Sequence, residues 1–427
     1  MPVVRRLDVP PFEALEPFLP RLASADAATR DGVTRILERV AAEGDAAVRD
    51  FGRQFDGVDL PPERWELPRA EWERALDRLA PTVAEALRVA VARVTRYHEL
   101  QRDPGFVRTE DDGTVLGMRV TPLDRVGLYV PGGKAAYPSS VIMNCVPAVV
   151  AGVQEIIAVV PPAGATDEVL AACLLAGVSR IFQVGGAHAV AALAYGTATI
   201  PRVDKIVGPG NRWVAEAKRQ VVGQVGIDMI AGPTELLVIA DHDADPARVA
   251  CDMIAQAEHD EDATSWCVTP SAALAAALPA ALEAALATAP RAAIARAALA
   301  RTGMVILVPD MAHAVQVANR RAPEHLEILA ADARDLSARI RHAGAIFLGD
   351  MTPEPVGDYL AGPSHVLPTS GTARYASPLG VYDFVKRTSI ISYSAERLAR
   401  DAAHIIALAE AERLPGHAEA VRMRMGD

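Results

Sequence analysis

Two titratable side chains stand side by side directly after a proline, in the stretch Arg321-Ala-Pro-Glu-His-Leu-Glu327. Pro323 has no N–H and disfavours helix at the residue before it, which predicts that a new segment begins at Glu324 and His325. Histidine titrates near neutral pH and a glutamate can be tuned towards it, so the pair suits proton abstraction and activation of water. An exposed Glu-His pair at the start of a strand, without chemistry, is the alternative.

A second set of polar residues has the types and the spacing of a metal site. Gln256 and His259 stand at i and i+3 in a helical run over residues 246–260, so both side chains project from one helix face. Asp358 and His417 are the candidates for the other half of the site. Two oxygens and two nitrogens without a thiolate favour Zn²⁺ or a similar divalent ion that can add substrate ligands. A helix end with a solvated Gln and His is the competing interpretation.

Three glycine turns follow predicted strands, at Pro131-Gly-Gly133, Gly185-Gly186 and Gly208-Pro-Gly-Asn211. Backbone N–H groups in such turns can approach a pyrophosphate at the N-terminus of the following helix. None of the three completes a G-x-G-x-x-G fingerprint, so tight turns without a ligand stay open as an alternative. The incomplete pattern also fits a nucleotide that lies on the surface and exchanges easily.

Composition limits the classes of protein to which the chain can belong. The chain of 427 residues is too long for one ordinary core. Its content of 51% hydrophobic and 23% charged residues is typical of a folded globular protein. A net charge of −11 and a pI near 5.5 argue against partners such as nucleic acid or an anionic membrane. The N-terminal residues lack the apolar run of a signal peptide, and no window is long and apolar enough for a membrane span, so we expect a cytoplasmic protein.

The four cysteines, Cys145, Cys173, Cys251 and Cys267, are scattered and form no C-x-x-C pair. Buried, reduced thiols are therefore expected rather than disulfides or a cysteine metal site. A thiol mechanism, with Cys145 trapping an aldehyde as a thiohemiacetal, is a chemical rival to the Glu-His pair. The apolar neighbours of Cys145 predict a high thiol pKa and poor access, which disfavour that mechanism.

The pattern of apolar residues along the chain changes near residue 126. Before it, apolar positions recur at helical spacing; after it, short aliphatic runs alternate with glycine turns and alanine-rich helical segments. This alternation predicts an α/β fold of two Rossmann-like parallel-sheet domains with small helical N- and C-terminal segments. We expect an N-terminal segment over 1–25, a discontinuous first α/β domain over 26–126 and 236–380, a nucleotide-binding domain over 127–235 and a C-terminal helical segment over 381–427.

Seven strings, in order along the chain, resemble the histidinol dehydrogenase family from about residue 25 to the C-terminus. They are Gly-Leu-Tyr-Val-Pro-Gly-Gly133, Val207-Gly-Pro-Gly-Asn211, Ala231-Gly-Pro-Thr-Glu235, Ala255-Gln-Ala-Glu-His-Asp260, Ala322-Pro-Glu-His-Leu-Glu327, Gly357-Asp-Tyr-Leu-Ala-Gly-Pro-Ser-His365 and Leu414-Pro-Gly-His-Ala-Glu419. Seven strings in the right order are far more specific than any one of them.

The resemblance implies an enzyme that contains one Zn²⁺ per subunit and oxidises L-histidinol through the aldehyde to L-histidine with two NAD, closing histidine biosynthesis. It implies a catalytic pair, Glu324 and His325, and metal ligands that are also substrate contacts, namely Gln256, His259, Asp358 and His417. Other substrate contacts would be Thr234, His325, His365 and Glu412, and the nucleotide contacts would be Tyr129, His188 and Asn211. Family members are homodimers in which the C-terminal segment, here carrying Glu412 and His417, completes the partner's site.

Two positions depart from the family pattern. His188 stands where the family usually has Gln, which changes a nucleotide contact although an imidazole can still donate one hydrogen bond. Thr234 replaces a common Ser and keeps the hydroxyl. Two other functions stay open: a related zinc and NAD dehydrogenase of another primary alcohol, and a nucleotide-binding regulatory or scaffold protein without chemistry.

Overall fold

The computed structural model describes residues 3–19, 25–132 and 137–426, and these form two compact units. The first unit comprises residues 1–101 and 123–384, and the second comprises residues 102–122 and 385–427. In the described part of the chain, no helix has the length and apolar character needed to cross a membrane. Gly133, the last residue of the first predicted glycine turn, lies outside the described residues.

Helices and strands are numbered here in chain order over the described residues. The helices α1 to α16 span Ala27–Glu43, Asp45–Phe51, Arg69–Arg78, Pro81–Glu99, Pro138–Ala151, Asp167–Ala176, Gly186–Tyr195, Arg212–Gln220, Pro246–Ala257, Ala272–Leu286, Ala292–Thr302, Met311–Arg321, Ala333–Ser337, Pro355–Tyr359, Ala395–Ala411 and Pro415–Met425. The strands β1 to β14 span Arg5–Asp8, Phe106–Thr109, Val115–Pro122, Arg125–Tyr129, Glu155–Val159, Arg180–Phe182, Lys205–Val207, Gly226–Ile227, Glu235–Ala240, Thr264–Thr269, Met304–Leu307, His325–Leu329, Ala345–Leu348 and Val385–Ser392. A π-helical turn, Gly52–Asp56, extends α2, and short 3₁₀ turns span Phe12–Phe18, Pro62–Arg64, Pro162–Gly164, Thr372–Arg374 and Val381–Asp383.

A five-stranded parallel sheet in the first unit has the order β6-β5-β4-β7-β8. This is the order of dinucleotide-binding sheets, in which the second and third strands lie on one side of the first strand and the fourth and fifth strands lie on its other side. The change of side falls between β4 and β7, where Val126 is paired with both Ile156 of β5 and Lys205 of β7. Ligands of such sheets bind at the carboxyl ends of the strands beside this point. The residues after β4 and β7 are therefore the expected nucleotide-binding edge.

The other sheet of the first unit has six parallel strands in the order β1-β11-β10-β9-β12-β13. Strand β12, which begins at His325, lies between β9 and β13, and His325 is paired with Leu236 on one side and Ala345 on the other. An interior strand of a parallel sheet is held by hydrogen bonds along both edges. The sheet therefore fixes the backbone at His325 from two directions.

The interior strands of both parallel sheets are buried on two faces, as parallel sheets with covering helices require. In β5, Ile156 packs in one apolar cluster, whereas its neighbour Ile157 packs in another on the opposite face. In β9, Leu236 and Leu237 divide between two clusters in the same way. Since successive strand residues point to opposite faces, continuous aliphatic runs are what such strands require.

The second unit contains a three-stranded antiparallel sheet, in the order β14-β3-β2, together with α15 and α16. The α/β fold predicted from the sequence, with its two parallel sheets and terminal helices, is confirmed. The structure adds this antiparallel sheet and the strand β1, which extends the six-stranded sheet from within the N-terminal segment. Strand β2 is exposed at every residue, so it carries none of the alternation that marks a half-buried strand.

A substitution at Gly208 should be more damaging than the same substitution at another glycine with a similar backbone. Gly208 has φ +111°, and a Cβ there would lie 2.1 Å from the carbonyl oxygen of Tyr129; Gly223 has φ +96° and open space around the added atom. We expect Gly223→Ala to cost about 1–3 kcal/mol of unfolding free energy from backbone strain alone. Gly208→Ala should cost at least about twice as much. Urea denaturation measures both, and equal losses would contradict the close contact.

Candidate active site

The candidate pair stands where helix α12 ends and strand β12 begins. Ala322 adopts a left-handed conformation with φ 51°, which ends the helix, and Pro323 leads the chain into the strand. Within β12, Leu326 packs in an apolar cluster, so His325 points to the opposite face of the sheet. The break in helix expected before Pro323 is thus present, and both titratable side chains are buried rather than exposed.

Glu324 is held by two hydrogen bonds to the same carboxylate oxygen. Its Oε2 accepts from the Thr234 hydroxyl at 2.6 Å and from the Glu235 backbone N–H at 2.8 Å. Burial raises the pKa of Glu324 to about 8, against the opposing effect of these two hydrogen bonds. A carboxyl with such a pKa can exchange a proton near neutral pH, which is the property required of a general base.

His325 is arranged as a neutral proton acceptor. Its Nδ1 lies 3.1 Å from the Glu235 carbonyl oxygen, and because a carbonyl only accepts, Nδ1 carries the proton and Nε2 has the free lone pair. Burial lowers the pKa of His325 to about 4, so the ring is neutral at pH 7. The buried Nε2 has no hydrogen-bond partner among the described residues. His325 lines a cavity of about 500 Å³ together with Asp358 and His365.

Thr234 connects Glu324 to the predicted metal ligand Gln256. The Thr234 hydroxyl donates to Glu324, so the hydroxyl oxygen is free to accept, and the Gln256 side-chain N–H donates to it at 2.6 Å. This fixes which end of the amide is nitrogen. The amide oxygen of Gln256 is completely buried and unpaired within the described structure. Buried oxygens of this kind require a partner, and a bound cation is one that fits.

His259 and Asp358 add two further donors that suit a divalent ion. The Nδ1 of His259 lies 3.0 Å from the Ala255 carbonyl oxygen, which leaves Nε2 with its lone pair, and Nε2 lies 4.0 Å from Asp358 Oδ2. A ring nitrogen fixed by a backbone carbonyl is typical of histidines that bind metals through the other nitrogen. Asp358 also groups with His325 and Glu354, whose possible ligand atoms all lie within 4.8 Å of one another. The residues present therefore fit a divalent cation.

Buried acids that the sequence did not reveal surround this cluster. Glu354 Oε1 lies 3.7 Å from His325 Nε2, and burial together with the Asp358 carboxylate raises the pKa of Glu354 to about 10. Glu327 accepts a hydrogen bond from the Glu354 backbone N–H at 2.7 Å, and burial and the Asp252 carboxylate raise its pKa. Two signals were available: Glu327 shares the strand face of His325, and Glu354 precedes Asp358 by one helical turn.

The predicted nucleotide contacts gather at the carboxyl edge of the five-stranded sheet. Tyr129, at the end of β4, and Asn211, after β7, line one cavity of about 470 Å³. The Tyr129 hydroxyl accepts a hydrogen bond from the Gly186 backbone N–H at 3.1 Å, so it joins two of the glycine turns. Asn211 caps α8 by accepting from the Trp213 N–H at 2.9 Å. Its side-chain oxygen therefore has a structural role, whereas its amide N–H₂ group is available.

The predicted contact His188 is not among the residues that line this cavity. Its ring is buried beside Phe51 and Phe55, and neither ring nitrogen has a hydrogen-bond partner in the described part of the chain. The nearest charged group is the Asp56 carboxylate, with Oδ2 3.6 Å from His188 Nε2. The direct nucleotide contact expected of His188 stays a prediction.

A buried ion pair holds the glycine turn that carries Asn211. Lys218 and Asp228 form this pair, and both side chains are nearly inaccessible to solvent. Lys218 Nζ donates to the Gly208 carbonyl oxygen at 2.9 Å, and the Gly208 N–H donates to Asp228 Oδ2 at 2.8 Å. Both backbone polar groups of one glycine are thus fixed by the pair, next to the end of β4.

Glu412 and His417 belong to the second unit, where Glu412 follows α15 and His417 lies in the first turn of α16. Both side chains are exposed. The four cysteines are free, and Cys251 is exposed, contrary to the expectation that all four are buried. Burial raises the pKa of the Cys145 thiol far above its usual range, which disfavours it as a nucleophile.

The fold and the site define an α/β protein with a dinucleotide-type sheet and a polar centre suited to a metal ion and to proton transfer. The profile of the family described as histidinol dehydrogenase matches residues 19–425. The chain therefore belongs to the histidinol dehydrogenase family, whose members are oxidoreductases of histidine biosynthesis.

Individual relatives agree with this assignment. The chain is 52% identical to the histidinol dehydrogenase of Pseudomonas syringae pv. syringae over 430 residues, which cover 99% of this chain and 96% of the relative. It is 52% identical to that of Aquifex aeolicus over 395 residues, 92% of each chain. The crystal structure of the Elizabethkingia anophelis histidinol dehydrogenase superimposes with a TM-score of 0.94 at 29% identity, covering 100% of this chain and 99% of that one.

Replacing Glu324 by Gln should flatten the dependence of stability on pH. The carboxyl has a pKa of about 8 when folded against 4.5 as a model group, so the folded state binds the extra proton between these values and stability falls as pH rises through that window. The E324Q variant should lose less stability between pH 5 and 8, by at most a few kcal/mol, since one pKa unit corresponds to about 1.4 kcal/mol. Urea titrations of chelator-treated protein measure the two slopes. The contribution of His325 is common to both proteins and cancels, and parallel slopes would contradict the assignment.

Proposed function

We propose that this protein oxidises L-histidinol to L-histidine through L-histidinaldehyde, with two NAD and one Zn²⁺ per subunit, in the cytoplasm. One observation carries the proposal: the Thr234 hydroxyl is hydrogen-bonded both to the buried carboxyl of Glu324 and to the side-chain amide of Gln256. The amide oxygen of Gln256 is buried and has no partner among the described residues, so it is suited to bind a cation. A base and a metal ligand joined by one hydroxyl suit a reaction in which a positioned substrate gives up protons. Family membership supplies the substrate.

Gln256, His259, Asp358 and His417 are the proposed zinc ligands. A zinc ion at these residues would supply ligand positions for the amine and imidazole of the substrate without redox chemistry of its own, and bound NAD would supply the hydride acceptor. The orphaned amide oxygen of Gln256 and the free Nε2 of His259 support two of the four positions. Placement of the reacting carbon is the contribution of such a site, because correct orientation removes much of the entropic barrier.

His325 is the proposed base for both oxidations. Its protonated Nδ1 is fixed by the Glu235 carbonyl, so Nε2 accepts the hydroxyl proton of the substrate. The low pKa that burial gives His325 keeps this nitrogen unprotonated at neutral pH. When water adds to the aldehyde, His325 returns this proton to the aldehyde oxygen, and the same nitrogen is then free to accept a proton from the hydrate in the second oxidation.

Glu324 is the proposed activator of water between the two oxidations. Thr234 and the Glu235 N–H hold one of its carboxylate oxygens, so the other oxygen is the one that takes the proton from water attacking the aldehyde. The pKa of about 8 makes Glu324 a stronger base than an exposed glutamate once it is ionised. His365 lines the same cavity as His325 and, with Thr234 and Glu412, is a proposed substrate contact.

We also infer a homodimer with shared active sites. In it, Glu412 and His417 of one copy complete the site of the other copy. Both residues are exposed in the second unit, which supports a role in contacts outside that unit.

Purified protein supplied with zinc, L-histidinol and NAD should form two NADH per histidine, because each turnover comprises two oxidations. A chelator should abolish NADH formation, and added zinc should restore it. The measurement is NADH absorbance against histidine quantified by chromatography. One NADH per product would contradict the two-step reaction. Equal kcat/KM with other primary amino alcohols would support the related dehydrogenase instead.

Replacing Glu324 by Gln should separate the two oxidations. We expect E324Q to slow oxidation of supplied L-histidinaldehyde by about 10²–10⁴-fold, the usual contribution of a general base, and to slow the alcohol step much less. His325→Asn is the matched comparison, since it should slow both steps. Single-turnover kinetics with each substrate measure the effects. Equal losses in both steps of E324Q would refute the division of roles.

A further inference from the structure

The cavity at the edge of the five-stranded sheet contains a single charged group among its described lining residues, the carboxylate of Asp56. The remaining walls are formed by apolar and aromatic side chains, prolines, glycines and the amide of Asn211. Asp56 ends the π-helical turn after α2, and its side chain is 21% exposed, so the carboxylate is partly shielded but open to a ligand. An acidic group in an otherwise neutral cavity can discriminate between ligands that differ in negative charge.

Asp56 lies near the place where dinucleotide-binding sheets usually carry an acid. In such sheets an Asp or Glu at the end of the second strand binds the 2′-hydroxyl of the adenosine ribose. The second strand here is β5, and the sequence that follows it, Val160-Pro-Pro-Ala-Gly164, contains no acid. Asp56 and Pro162 line the 470 Å³ cavity together, and both also line a smaller one beside it. A residue from outside the sheet thus supplies the carboxylate that the strand end lacks.

An aromatic surface for a purine stands directly beside this carboxylate. The ring of Phe55 is stacked on buried Phe51, with centroids 5.7 Å apart and planes 5° apart, and Phe55 is 54% exposed. Phe55, Ile36 and Trp213 line the same cavity as Asp56. Planar bases bind to aromatic faces of this kind. The cavity therefore offers adjacent sites for a base and for its ribose.

We propose that Asp56 binds the 2′-hydroxyl of the adenosine ribose and makes the protein select NAD over NADP, an inference that rests on the proposed use of a nicotinamide dinucleotide. The carboxylate accepts a hydrogen bond from the hydroxyl, which is stronger than a neutral hydrogen bond. A 2′-phosphate in the same place is mostly doubly ionised at neutral pH, so it is a poor donor and is repelled by the carboxylate. His188 Nε2, at 3.6 Å, is too far to compete as a donor.

The test compares Asp56→Asn with the matched variant Asp59→Asn. Asp59 has the same charge three residues along, forms an exposed ion pair with Arg49 at 2.7 Å and is absent from the described lining of both cavities. With saturating histidinol, the NADP to NAD ratio of kcat/KM should rise at least about tenfold in D56N, because one charge-assisted hydrogen bond is lost and one repulsion is removed. The KM for histidinol should not change. An unchanged ratio in D56N, or an equal rise in D59N, would overturn the proposal.

A binding measurement needs neither histidinol nor zinc and uses the unaltered protein. By titration calorimetry, 5′-AMP should bind at least about tenfold more tightly than adenosine 2′,5′-bisphosphate, and D56N should remove most of this difference. Equal or tighter binding of the bisphosphate to the unaltered protein would sink the assignment even if D56N failed to fold. If the protein formed no NADH from histidinol while the calorimetric preference held, the proposed function would fail and the role of Asp56 in ribose selection would stand.

Discussion

The single proton of the Thr234 hydroxyl determines the arrangement of the candidate site. That proton is donated to Glu324, so the hydroxyl oxygen can only accept, and it accepts from the amide nitrogen of Gln256. The amide oxygen is then directed into the interior without a partner. A buried polar group without a partner costs about 1–3 kcal/mol, and a cation bound at the proposed metal site would offset this cost. One hydroxyl thus couples the proposed base to the proposed metal site.

Burial sets opposite protonation states on two adjacent residues. The same desolvation that raises the pKa of Glu324 lowers that of His325, because burial favours the neutral form of each. The parallel sheet makes this possible, since β12 is an interior strand whose two faces are covered and whose backbone is held by β9 and β13. An imidazole that is neutral at pH 7 and a carboxyl that titrates near it are the pair that successive proton transfers need.

Local sequence patterns were sufficient for the main sheets and for the types of the chemical residues. Aliphatic runs predicted most strands of both parallel sheets, with β1 and β8 as exceptions, and Pro323 located the start of β12. Strands β2, β3 and β14 contain no buried residue, so their sequences lack the continuous aliphatic run that marks a buried parallel strand. Contacts between residues distant in the sequence could not be predicted. The hydrogen bond from Thr234 to Glu324 spans 90 residues, and the spacing of Glu354 places it one helical turn before Asp358 without showing that it faces His325. Such contacts depend on how strands are ordered in the sheet, which periodicity does not encode.

The buried pair of Lys218 and Asp228 has a consequence for coenzyme exchange. Because the pair forms hydrogen bonds with both the N–H and the carbonyl group of Gly208, the loop leading to Asn211 is preformed. A preformed loop loses little conformational freedom when a ligand arrives, so it lowers the entropic cost of each encounter. The proposed reaction releases one reduced coenzyme and takes up a second one while the aldehyde stays bound. A preformed loop would favour rapid exchange in such a reaction, because binding requires no slow rearrangement of the loop.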